Sequence, residues 1–89
     1  MRFYIITKNQ LLQKRWSTIL SIFSPIARET VPLYLSNEAL VVIHDDILCH
    51  LGDEQKKSLF SLHVMVLSTT PTFEQARLAL ELGAKGYGN

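Results

Sequence analysis

Residues 40–46 read Leu-Val-Val-Ile-His-Asp-Asp, and this stretch decides the fold. Leu40, Val41, Val42 and Ile43 run without a polar break into His44 and two carboxylates, Asp45 and Asp46. A strand buried on both faces shows such a continuous apolar run, whereas a half-solvated strand alternates. The run therefore predicts a central strand of a covered, parallel sheet, with its carboxylates at the carboxyl edge. That edge is where α/β folds place their ligands.

On the amino-terminal side, residues 3–6 form a short β-prone run that predicts a first strand. Thr7, Lys8 and Asn9 break it, and Asn9 is a helix N-cap candidate. From residue 10 to about 23, Leu12, Trp16, Ile19, Leu20 and Phe23 recur at three- and four-residue steps, which is one face of a helix. Pro25 stops it. Residues 26–39 carry mixed signals. Val31 to Leu35 have strand composition, but Pro32 restricts them to an edge or a turn. A short edge strand within residues 28–35 is expected, followed by a loop or a single helical turn.

On the carboxyl-terminal side, residues 45–52 read as a loop, and Asp53 as the cap of a helix over 54–62 with Leu59 and Leu62 inward. Residues 64–67 are a second fully apolar run, read as another strand buried on both faces. Thr72 with Gln75 is a capping-box pattern opening a helix over 73–82, its inner face carrying Ala76, Ala79 and Leu80. Gly83 stands where a C-terminal left-handed stop belongs, and a last strand begins at residue 84. Strands alternating with helices predict a layered α/β sheet with right-handed crossovers.

The 89 residues make one domain, 1–89. A chain this short buries only about 60–65% of its unfolded surface. Its 47% apolar and 19% charged residues are those of a globular protein. The net charge of +1 predicts neither a nucleic-acid nor a membrane surface. The single cysteine, Cys49, allows no internal disulfide and suits a reducing cytoplasm. His44, Cys49, His50 and His63 match no compact metal-ligand spacing. Gly83, Gly86 and Gly88 follow a helix instead of opening one, so they are no nucleotide loop. His44 is expected to pack against a helix with one ring nitrogen bonded, and Trp16 and Phe23 to serve as packing residues.

With this order of elements, residues 64–87, Val-Met-Val-Leu-Ser-Thr-Thr-Pro-Thr-Phe-Glu-Gln-Ala-Arg-Leu-Ala-Leu-Glu-Leu-Gly-Ala-Lys-Gly-Tyr, resemble the fourth strand, fourth helix and fifth-strand entry of bacterial response-regulator receiver domains. Residues 40–45 resemble the family's third strand, and residues 3–16 its first strand and helix. The resemblance implies a flavodoxin-like sheet in the order 2-1-3-4-5, with a shortened or missing second helix and no fifth helix. It places Asp45 at the phosphoacceptor, Ser68 at the switch hydroxyl and Tyr87 at the aromatic switch. Thr7 and Lys8 stand where the family holds Mg²⁺ with two acids, and an oxygen-rich shell cannot be built from them. The family's phosphate-binding lysine would lie just past Asn89. Lys8 is expected to set its ammonium near the metal's place and pair with Asp45, while residues 68–70 form the turn and cap before the next helix.

The resemblance thus implies an atypical receiver that binds no Mg²⁺ or other cofactor, is not an enzyme, and acts as an interaction or dimerisation module in signalling or transcription control. Without the fifth helix, one face of the sheet would remain apolar. That face predicts a homodimer or another protein partner, unless the chain is cut from a longer regulator. The rival reading is a phosphorylation-competent receiver taking a phosphoryl group on Asp45 from a sensor histidine kinase. A third is a small-ligand site in the carboxyl-edge crevice.

Overall fold

The computed structural model describes residues 2–32 and 35–88. Its elements are β1 (Phe3–Ile6), α1 (Gln10–Ile19), a 3₁₀ turn (Ser21–Phe23), β2 (Ile26–Arg28), β3 (Leu40–His44), α2 (Asp45–Leu48), α3 (Asp53–Phe60), β4 (His63–Leu67), α4 (Phe73–Leu82) and β5 (Gly86–Gly88). All four strand pairs are parallel, in the order β2-β1-β3-β4-β5. This is the flavodoxin-like layout, with β3 at its centre.

Strand alternation divides the core into two layers. Tyr4, Ile6, Val41, Ile43, Val64 and Val66 face one way and pack with Ile47 of α2, Leu59 and Phe60 of α3, and Ala79 of α4. Ile5 and Val42 face the other way and meet Trp16 of α1. Three helices thus cover one face, and among the described residues α1 alone covers the other. That asymmetry corrects the reading of β4 as buried on both faces: Val64 and Val66 are fully buried, but Met65 is 45% exposed.

The first helix is shorter than its periodicity suggests. Asn9 caps it, with Oδ1 accepting from the Leu11 and Leu12 amides at 3.1 Å. It ends at Ile19, and the 3₁₀ turn carries the chain to Ser24, whose φ is 50°. Pro25 disfavours right-handed helical geometry at the residue before it, so the helical turn ends there. Ile19 and Phe23, on the apolar face that the periodicity predicts, are mostly exposed, and Phe23 stacks on Phe3 at 5.4 Å.

The edge strand starts directly after Pro25 and pairs as Tyr4↔Ile26 to Ile6↔Arg28. It therefore starts two residues before the expected window and reaches only its first residue, Arg28; residues 33 and 34 of that window are outside the described residues. No helix occurs among the described residues between β2 and β3.

Three further segments shift, among them the last strand, expected from residue 84 and found from Gly86. Residues 45–48 form a helical turn, not a loop, with Ile47 buried beneath it. The helix read as 54–62 runs Asp53–Phe60; Gly52 precedes it and donates its amide to Gln55 Oε1 at 2.9 Å. Leu62 is buried but lies beyond that helix. The helix Phe73–Leu82 forms as expected, with Thr72 Oγ1 accepting from the Gln75 amide and Gly83 at φ 113°. Leu80, read as inward, is about half exposed.

Candidate functional site at the carboxyl edge

The parallel register fixes which residues meet at the edge. Ile6 pairs with Ile43 and His44 with Leu67. Thr7 therefore stands level with His44, and Asp45 level with Ser68, each one step beyond a paired position. The residues that sequence order assigned to the edge are brought there by the sheet itself.

His44 is the centre of the group. Its side lies with Val42, against α1, and its ring meets Trp16 edge-on at 5.7 Å and 77°. The residue is 6% exposed. Thr7 Oγ1 lies 3.2 Å from His44 Nδ1 and also accepts from the Asn9 amide at 3.1 Å. Asp46 Oδ1 is 2.8 Å from the same Nδ1, and Asp45 Oδ1 is 3.4 Å from Nε2. A carboxylate that close to Nδ1 favours the tautomer carrying its proton there, with Thr7 Oγ1 as the aligned acceptor. His44 Nε2 and Asp46 Oδ1 are buried and, despite these short distances, have no aligned hydrogen-bond partner among the described residues.

This geometry corrects the expected pairing of Lys8 with Asp45. Among the described residues Lys8 makes no ion pair, and it is exposed. The physical reason is the corner: β3 gives way to α2 at Asp45, so both carboxylates curl back over His44 instead of reaching towards β1. The expectation for His44, packed on a helix with one ring nitrogen bonded, matches what is found.

Ser68 is buried, and its hydroxyl accepts from the Thr70 amide at 3.1 Å, forming the turn before α4. Its own amide donates to the Gly88 carbonyl at 2.8 Å, which ties the ends of β4 and β5. Tyr87 packs its ring on the three-helix side of the core, and its hydroxyl donates to Gln75 Oε1 at 3.0 Å. Gln75 is thus engaged with β5.

A Mg²⁺ site of the receiver type does not fit these residues. The cation takes several hard oxygen ligands. Of the two positions after β1, one is a buried threonine whose hydroxyl serves His44 and Asn9, and the other is a cation. Asp45 and Asp46 could contribute oxygens, but the His44 ring stands against both.

Asp46 stands in this group without a role predicted from the sequence. The signal that could have found it is its two-residue offset from His44 across a strand-to-helix corner, which depends on recognising α2. A second feature lies on the α1 side of the sheet. There a groove of about 770 Å³ runs beside the helix, with Leu12, Trp16 and Leu20 along one wall and Val42, Met65 and Leu67 on its floor. Compared with known proteins, the chain matches no family model and no curated sequence.

Proposed function

We propose that this chain is a receiver-like protein-interaction module of bacterial signalling or transcription control, and that it works in the cytoplasm without Mg²⁺-dependent phosphorylation. The single observation that carries the reading is the His44 ring held against Asp45 and Asp46 over Thr7. An aspartyl phosphate forms only if the charge on the incoming phosphoryl oxygens is neutralised by a cation. Here the acids that would hold a metal are replaced by Thr7 and Lys8, and the carboxylates at the end of β3 neighbour an imidazole. The edge then serves as a structural corner, and signalling passes through occupancy of the open α1 face by a protein partner.

The rival, a receiver phosphorylated on Asp45 by a sensor histidine kinase, is favoured by one observation: Asp45 and Ser68 stand level at the carboxyl edge. Intact-mass measurement after incubation with Mg²⁺ and a small acyl-phosphate donor separates the two. The module reading expects an unchanged mass. A gain of one phosphoryl group that disappears in Asp45→Asn establishes the rival instead.

A further inference from the structure

We propose that the His44 corner is a proton-operated latch. A second proton on the imidazole, at Nε2, draws Asp45 and Asp46 onto the ring and seats α2, and its loss loosens α2 from the end of β3. Each ring nitrogen faces a carboxylate oxygen, Nδ1 to Asp46 Oδ1 at 2.8 Å and Nε2 to Asp45 Oδ1 at 3.4 Å. A neutral imidazole has one N–H and one bare lone pair. Whichever nitrogen is bare, an acceptor then stands against an acceptor. Only the doubly protonated ring turns an N–H, or the positive charge behind it, to both acids.

Two buried atoms point to the same proton. His44 Nε2 and Asp46 Oδ1 are both buried without an aligned hydrogen-bond partner among the described residues. With the Nδ1 proton directed to Thr7 Oγ1, Nε2 is the position left to fill. A proton there makes a donor facing Asp45 and sets a cation beside the Asp46 oxygen. The remaining elements around the ring are uncharged where they meet it: α1 turns Trp16 to it, β1 the Thr7 hydroxyl, and β4 ends level with it at Leu67. The cations of this side, Lys8 after β1 and Lys14 and Arg15 on α1, are exposed and pair with neither carboxylate.

α2 carries the change across the sheet. The His44 ring lies on the α1 side, whereas Ile47 is buried in the core of the three-helix side. α2 has four residues and no side-chain cap bond at its start. So short a turn has little stability of its own, and its hold on β3 comes from Ile47 and from the two acids against the ring. The latch needs neither a partner nor a phosphoryl group, so failure of the module reading leaves it standing.

Nitrogen-15 spectra of the imidazole and methyl spectra of Ile47, followed on the intact chain from about pH 8 to about pH 5, test the latch. His44 is expected to gain its second proton at Nε2, with the Ile47 methyls and the Thr7 amide shifting at the same midpoint. The exposed His50 and His63 should take up protons without moving Ile47. Asp46→Asn keeps the side-chain shape and removes the charge, and it should lower the proton affinity of the ring at least about threefold. The Ile47 response should move with it. An unchanged proton count on the ring across this range, whether one or two, overturns the proposal. So does a second proton that leaves Ile47 unmoved, or an Asp46→Asn midpoint equal to that of the natural chain. Should Asp46→Asn fail to fold, the first two outcomes decide on the natural chain alone.

Discussion

Thr7 and His44 meet across β1 and β3, Oγ1 to Nδ1, at 3.2 Å. Thr7 is also hydrogen-bonded from its amide to the Arg28 carbonyl at 3.1 Å, so this one residue joins the ends of β2, β1 and β3. Replacing it by valine keeps the volume and removes the hydroxyl from the His44 ring and from the Asn9 amide. Thr7→Val should cost about 1–2 kcal/mol, the penalty for leaving buried polar groups unpaired. Urea unfolding with an unchanged slope and a lowered midpoint checks it.

Asn9 closes the other side of the same corner by capping α1 through its side-chain oxygen. Asn9→Ala should lose about 1 kcal/mol, and the circular-dichroism helix signal should fray earlier on heating. An unchanged unfolding midpoint would show that the cap contributes nothing to α1.

Gly83 and Gly88 should respond in opposite ways to alanine. Gly83 has φ 113°, and a Cβ there would stand 3.0 Å from the Phe60 carbonyl oxygen. Gly83→Ala should therefore destabilise by about 1–2 kcal/mol from backbone strain alone. Gly88 has open space around the added carbon, so Gly88→Ala should stay within about 0.5 kcal/mol. Paired denaturation curves of the two variants test the contrast.

Tyr87→Phe removes the hydroxyl that donates to Gln75. The bond is exposed, so water can replace either partner, and the loss should be below about 1 kcal/mol. A larger loss would mean that this bond holds α4 onto β5 more firmly than its exposure implies.

How much was legible follows from which residues decide each element. The unbroken run at residues 40–43 and the Thr72, Gln75 and Gly83 signals around α4 are local, and they specify β3 and α4 closely. Parallel order then puts Thr7, Asp45 and Ser68 at one edge without any side-chain detail. The edge strand was misplaced because β2 is only three residues long and Pro25 and Pro32 flank it with competing signals. The burial of Ile19, Met65 and Leu80 was overestimated because periodicity identifies an apolar face, not whether a neighbour covers it. The His44–Asp46 contact was hidden in the turn at α2, where four residues carry too little pattern to announce a helix.

An amide NMR titration with Mg²⁺ followed by beryllofluoride reads the state of the carboxyl edge most directly. On the proposed reading no saturable shift appears at Asp45 or Ser68, because the His44 ring lies against both carboxylates and the Thr7 hydroxyl is engaged by His44 and Asn9. A saturable change at both amides, dependent on Mg²⁺ and lost in Asp45→Asn, would contradict it.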